Sequence, residues 1–136
     1  MTQPTLHTER TVLLAATLLC MERAWAGNCY LAALTLAQRA PAGARGVYVV
    51  HGTPQGQGAA AGSRIGHAWV ELGAHNVLDL TVGPQPMLRA YYYGVGRMTD
   101  QHVVRYTCAD ALARMTRTGN GGPWSRLVKA ARHANP

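Results

Sequence analysis

The sequence lacks most of the features that mark a specialised class of protein. Its 136 residues include no phenylalanine and only three cysteines. The cysteines are odd in number and irregularly spaced, and neither Cys-x-x-Cys nor His-Glu-x-x-His occurs. A disulfide framework and the familiar zinc motifs are therefore excluded. We expect no metal and no cofactor, and a reducing compartment such as the cytoplasm.

Long hydrophobic runs are also missing. The run from Val12 to Met21 covers ten residues, whereas about 20 are needed to cross a bilayer. A signal peptide cleaved after Ala26 is disfavoured because Glu22 and Arg23 interrupt the approach to the cleavage site. The run is instead predicted to be a buried helix, with residues 1–6 as a flexible polar tail, and no association with a membrane is expected.

Acidic residues are scarce as well. Six of them face 13 lysines and arginines, which gives a net charge of +7 at pH 7. A basic balance favours anionic partners, but the arginines are scattered and no nucleic-acid-binding motif accompanies them. We therefore interpret the charge as a solvated surface and do not expect a nucleic-acid partner.

Length and a hydrophobic content of 48% predict one α+β domain over residues 1–136. Beyond the first run, helices are predicted from Cys29 to about Arg39, from Cys108 to about Arg117 and from Trp124 to His133. Strands are predicted at Gly46–Val50, at His102–Thr107 and in a hairpin between these two.

The segments around the hairpin carry further candidate features. Gly52–Ser63 contains four glycines and is predicted to be a mobile loop, either a substrate lid or a tolerated insertion. His51, just before it, is expected to form hydrogen bonds at the start of the loop, with a catalytic role as the less favoured alternative. Tyr91, Tyr92 and Tyr93 cannot all face one side, so at least one should be exposed or line a groove; Tyr92 is the substrate-lining candidate.

The hairpin is built from two alternating apolar runs joined by a loop of three to five residues. Only an even register places both apolar sets in one core. In the register that opposes Ala68 to Leu78, His67 lies opposite Asp79 on the other face. Directly opposed Cβ atoms are roughly 4.5–5.5 Å apart, so an imidazole–carboxylate hydrogen bond is predicted there.

A nucleophile candidate precedes the hairpin in sequence. Cys29 follows Asn28, which can cap a helix, and the positive end of the helix dipole stabilises a thiolate at this position. With His67 and Asp79 it completes a predicted catalytic triad of nucleophile, general base and orienting carboxylate.

Other residues are predicted to complete the site. The backbone N–H of Cys29 would bind an oxyanion, together with the indole of Trp25 or the side chain of Asn28. Trp69 and Glu71 share the face of His67 and are expected to flank the site.

These motifs resemble the transglutaminase-like branch of the papain-like cysteine protease superfamily. That family has a Gly-x-Cys helix, a His-Ala-Trp-x-Glu strand and a following Asp-Pro-Thr. The corresponding segments here are Gly27–Cys29, His67–Glu71 and Asp79–Thr81, with Leu80 in place of the proline. The resemblance spans about residues 25–83. It implies N-terminal helices, with the catalytic cysteine at a helix start, packed on a small antiparallel sheet.

The resemblance also implies an activity. The chain is expected to be a thiol-dependent hydrolase or acyltransferase that acts on amide bonds of a protein or peptide, as a peptidase, a deamidase or a transglutaminase. Lasso-peptide leader peptidases and bacterial thiol amidases are similar in kind. The alternative is a catalytically inactive relative that serves as a protein- or nucleic-acid-binding module.

Overall fold

A computed structural model describes residues 1–131 of the chain. Within these residues lie five α-helices: α1 (Leu6–Glu22), α2 (Cys29–Gln38), α3 (Arg89–Gly96), α4 (Cys108–Thr118) and α5 (Arg126–Lys129). The strands are β1 (Val47–Gly52), β2 (His67–Leu72), β3 (Asn76–Leu78), β4 (Met87–Leu88) and β5 (Val103–Thr107). They form one antiparallel sheet in the order β4-β3-β2-β1-β5. The predicted α+β class and antiparallel sheet are confirmed.

Side-chain caps explain where two helices begin. Thr5 accepts a hydrogen bond of 3.1 Å from the backbone N–H of Thr8 at the start of α1, and Thr107 accepts one of 3.1 Å from Asp110 at the start of α4. Helix α4 ends at Thr118 and is followed by Gly119, whose φ of 74° suits a residue without a Cβ atom. The final predicted helix is observed only as α5, and its predicted end at His133 lies outside the described residues.

The two faces of the sheet belong to two separate cores. Because side chains alternate along a strand, Val49 and Val70 point to one face and Val50 and Trp69 to the other. The first face packs against α2 and α4, and with α1, which packs on α2, it forms the larger core. The second face packs against α3 and contains Tyr93 among its buried residues.

The register of the β2–β3 hairpin differs from the predicted one by two residues. Val70, not Ala68, lies opposite Leu78. The predicted register would leave Gly73 alone to form the turn, whereas the shortest common hairpin loops have two residues. Since the shift is even, every side chain keeps its face, and Asp79 still shares the face of His67, just beyond the end of β3.

The N-terminal tail, predicted to be flexible, lies against two turns at the end of the sheet. A Cβ atom built on Gly46 would be 2.3 Å from the backbone N of Pro4, and one built on Gly73 would be 2.0 Å from the side chain of Gln3. Two glycines therefore make the space in which the tail is packed. Leu6, which was predicted to belong to the tail, is the first residue of helix α1.

The segment Gly52–Ser63, predicted to be a mobile loop, is held by hydrogen bonds at its base. Gly56 N–H donates to the Ser63 carbonyl at 2.8 Å. The Arg64 guanidinium donates to the carbonyls of Thr53 at 2.7 Å and Arg97 at 2.8 Å. The loop is thereby tied to the turn that follows α3.

His51 does not have the predicted position at the start of a loop. Strand β1 continues to Gly52, and His51 is fully buried between the rings of Tyr30, Tyr106 and Trp124, at centroid distances of 4.9, 5.1 and 4.9 Å. Among the described residues neither ring nitrogen has a hydrogen-bond partner, so the predicted hydrogen bonds are wrong. Burial lowers the pKa of His51 to about 3, which keeps the ring neutral near pH 7.

Over residues 1–131, none of the helices combines the length and the apolar character that crossing a membrane requires.

Candidate active site

Cys29 is the first residue of α2 and is 2% exposed. Gly27, with a φ of 82°, turns the chain into the helix, and the buried Ala32 and Ala33 on its next turn allow α2 to pack on β1 and β2. The expected cap is absent, because the Asn28 side chain makes no capping hydrogen bond. The thiol therefore lies at the N-terminus of a helix whose first N–H groups have no intrahelical partner.

The predicted pairing of His67 with Asp79 is present in the structure. His67 Nε2 lies 2.7 Å from Asp79 Oδ2, and the two residues are 7% and 2% exposed. Three further hydrogen bonds hold the carboxylate: Thr81 donates to Oδ1 from its backbone N–H at 3.0 Å and from its hydroxyl at 2.6 Å, and the Tyr92 hydroxyl donates to Oδ2 at 2.6 Å. The carboxylate, and with it the imidazole, is fixed.

The electrostatics of the pair follow from this arrangement. Burial alone would lower the pKa of His67, but hydrogen bonding and charge from Asp79, together with Cys29, outweigh burial and raise it to about 9. Burial would raise the pKa of Asp79, yet its bonds to His67, Thr81 and Tyr92 leave that pKa below the usual value. Near pH 7 the pair is an imidazolium and a carboxylate.

The second ring nitrogen of His67, Nδ1, is not bonded to the Asp79 carboxylate. Nδ1 is buried and has no hydrogen-bond partner within the part of the chain that the structure describes, while Cys29 is close enough to contribute to the raised pKa of the ring. The thiol and the imidazole are thus neighbours. The structure brings all three predicted triad residues together in the order thiol, imidazole, carboxylate.

The two predicted oxyanion donors have different surroundings. The Trp25 ring is buried, and its indole N–H donates to the Leu19 carbonyl at 3.0 Å, so it is already engaged. Asn28 is exposed, has no capping bond, and lines the same cleft as Cys29. Asn28 and the Cys29 backbone N–H are therefore the available donors.

Trp69 and Glu71 lie on the His67 face as predicted but belong to a separate polar cluster. The Trp69 ring is 6.0 Å from the His67 ring, and its indole N–H donates to Glu71 at 3.0 Å. Glu71 is fully buried and also accepts hydrogen bonds from the Tyr93 hydroxyl at 2.5 Å and from Arg105 at 2.8 Å. Trp69 adjoins the site, whereas Glu71 anchors the strand.

Two further residues, Thr81 and Tyr92, bind the Asp79 carboxylate, and these contacts are not predicted from the sequence. Thr81 fixes Asp79, and its position two residues after an aspartate is typical of a local side-chain-to-backbone turn. Tyr92 is predicted to line the substrate site on account of the tyrosine triplet; its hydroxyl donates to Asp79, and its side chain lines the cleft beside that carboxylate. Tyr91 is the exposed member of that triplet, at 65%.

A cleft opens on each side of the triad. The Cys29 cleft, of about 500 Å³, lies between α2 and the segment Gly119–Gly122. The Asp79 cleft, of about 300 Å³, is lined by Asp79 and Tyr92 and by Gln55 and Gln57 of the glycine-rich loop. The loop therefore forms a wall beside the carboxylate end of the triad.

Within residues 1–131, no three His, Cys, Asp or Glu side chains are grouped so that they could hold a metal ion.

In comparisons with known proteins, no protein-family model, no curated protein and no solved structure matches this chain.

Proposed function

We propose that the chain is a thiol hydrolase or acyltransferase of the transglutaminase-like kind, with a papain-like arrangement of its helices and sheet. It acts on amide bonds of a protein or peptide. One observation carries the proposal: a buried His67–Asp79 pair, 2.7 Å apart, whose second ring nitrogen is left for a thiol at a helix N-terminus. This is the geometry that nucleophilic catalysis by cysteine requires.

The first half of the reaction forms a thioester. The Cys29 thiolate attacks the carbonyl carbon, a C–S bond forms, and the carbonyl electron pair moves to oxygen. The oxyanion accepts hydrogen bonds from the Cys29 backbone N–H and from Asn28. As the oxyanion collapses, the C–N bond breaks and His67 gives its Nδ1 proton to the departing amine.

The second half resolves the thioester. The now neutral His67 takes a proton from the acyl acceptor, which attacks the thioester carbonyl, and the thiolate leaves as the imidazolium is restored. Water as acceptor gives hydrolysis or deamidation, and an amine gives transamidation. Throughout, Asp79 keeps the ring in one orientation and stabilises its charged form.

An activated ester tests the proposal. 4-Nitrophenyl acetate should release nitrophenol in a burst and leave one acetyl group, which peptide mapping by mass spectrometry places on Cys29. The matched control is Cys108→Ala, because Cys108 is half-buried and its thiol contacts a backbone carbonyl instead of a histidine. The burst should survive in that variant and disappear in Cys29→Ala. Acetylation spread over Cys20 and Cys108, with none favoured at Cys29, would instead support a binding module.

A further inference from the structure

The Cys29 cleft continues beyond the thiol. A second compartment, of about 450 Å³, adjoins it along the same helix, and the two share Leu34 and Gln38 as lining residues. Together they form one groove between α2 and α4, which we name the α2/α4 groove. It begins at Cys29 and ends at residues 40–44, after the end of α2.

The described lining of this groove is uncharged. The protein carries a net charge of +7, yet none of the described residues that line either compartment is charged. Most are small or apolar, and Gly121 and Gly122 form part of one wall. The polar side chains are the amides of Asn28, Gln38 and Asn120 and the hydroxyls of Tyr30 and Thr107. Amides offer both donors and acceptors, as a peptide backbone does.

The length of the groove indicates how much chain it can hold. Helix α2 has 10 residues, which corresponds to about 15 Å at 1.5 Å per residue. An extended peptide advances roughly 3.3 Å per residue, so four to five residues match the groove. A nucleic acid strand of that length would bring several phosphates into a groove whose described lining residues include no cation.

We propose that the α2/α4 groove binds four to five residues of an extended peptide with small or apolar, uncharged side chains, next to the bond that Cys29 attacks. That Cys29 attacks the adjacent bond rests on the proposed function. The binding part rests on the groove itself: it is continuous with the thiol, its lining is uncharged, and its small residues leave room for a backbone.

Thiol-reactive peptides test the groove without turnover. One reagent is a bromoacetyl group on the N-terminus of an Ala/Leu pentapeptide, and another is a chloromethyl ketone at the C-terminus of the same peptide. In both, the thiolate forms a C–S bond and halide leaves, and between them they present both chain directions. At least one should alkylate Cys29 about tenfold faster than its single-residue version, which corresponds to ~1.4 kcal/mol of added binding.

A matched pair of variants locates the effect. Ala109 and Ala113 are both exposed residues of α4, but only Ala109 lines the far compartment. Ala109→Trp should remove most of the acceleration, measured in each variant as the rate with the peptide reagent divided by the rate with bromoacetamide. Ala113→Trp should keep the full acceleration.

The results separate this inference from the proposed function. The groove would be overturned as a site for neutral peptides if the peptide reagent alkylated Cys29 no faster than its single-residue version. It would also be overturned if the acceleration survived Ala109→Trp, or if a glutamate-containing peptide gave a larger one. Each of these outcomes holds even if the ester acetylates Cys29. Acceleration that Ala109→Trp removes, without acetylation by the ester, would keep the groove and overturn the enzyme.

Discussion

Among single residues, Asp79 determines the geometry of the site. A buried carboxylate is costly unless it is paired and hydrogen-bonded, and Asp79 satisfies this condition through His67, Thr81 and Tyr92. Both oxygens are occupied, so the carboxylate cannot rotate without losing bonds. The orientation of the His67 ring, and hence the position of its Nδ1, follows from these contacts.

Replacing the carboxylate should change the pH dependence of the site. In Asp79→Asn the negative partner is removed while burial remains, so the pKa of His67 should fall from about 9. The alkaline limb of the rate profile of nitrophenol release should move to lower pH, and an NMR titration of His67 should show the same shift.

The control for this change is Asp110→Asn, an exposed position near the start of α4. It removes the same charge without touching the triad, and should leave both the rate profile and the His67 titration in place. An unchanged His67 titration in Asp79→Asn would show that the carboxylate does not set the protonation of the ring.

Among the elements, strand β2 connects the site to the interior. Its first residue is His67, and four positions later Glu71 is held by Arg105 and Tyr93 on the same face. Trp69 lies between them and hydrogen-bonds to Glu71. The buried cluster therefore anchors the strand that carries the imidazole, because each of its members would be left unsatisfied if the strand moved.

A glycine in β1 tests how closely this strand is packed. Gly52 lies opposite His67, and a Cβ atom there would be 2.4 Å from the Trp69 ring. Gly52→Ala should destabilise the fold by about 1–3 kcal/mol, the range for an overpacked core, as measured by urea unfolding. It should also slow acetylation of Cys29, because Trp69 adjoins His67.

Helix α3 provides the matched control. A Cβ atom on Gly94 meets no atom within 4 Å, so Gly94→Ala should be neutral or stabilise the protein by up to about 1 kcal/mol. Equal stabilities of the two variants would mean that the space beside Trp69 is not limiting.

The elements also show what the sequence could and could not predict. The alternation around His67 and Asp79 was enough to place both on one face, because parity alone decides it. The actual register depends on the three-residue turn, which the alternation does not specify. The surroundings of His51 were unpredictable, because its partners Tyr30, Tyr106 and Trp124 come from three distant segments.

For the whole molecule, the main electrostatic feature is its positive net charge. Of the six acidic residues, Glu71, Asp79 and Asp100 are engaged in hydrogen bonds or ion pairs. Few carboxylates remain to offset the arginines at the surface. The surface is therefore basic, whereas the described lining of the α2/α4 groove carries no charged side chain.

The stability of the whole molecule should depend on pH through two buried histidines, His67 and His51, whose pKa values shift in opposite directions on folding. The pKa of His67 is raised in the folded state from 6.5 to about 9, so its contribution is fully present below pH 6.5 and is lost as pH rises through about 9. The pKa of His51 is lowered from 6.5 to about 3. Its effect is the reverse: stability is lost as pH falls from 6.5 towards 3, because only the unfolded chain takes up the proton.

A substitution of similar volume tests the acid effect. His51→Leu should remove a loss of up to about 1.4 kcal/mol per pH unit between pH 6.5 and 3, measured as the urea midpoint at several pH values. His7→Leu, at an exposed position, should keep the acid loss of the wild type. An acid loss in His51→Leu equal to that of the wild type would place its origin elsewhere.

The central claim is that Cys29 is a nucleophile activated by His67. The most direct measurement is the rate at which bromoacetamide alkylates each cysteine at pH 7, in the wild type and in His67→Ala, with the modified residue identified by mass spectrometry. Burial raises the pKa of both Cys20 and Cys108, so the account predicts alkylation of Cys29 at least about tenfold faster than of either, and loss of this preference in His67→Ala. Equal rates for all three cysteines, or a preference for Cys29 that survives His67→Ala, would contradict it.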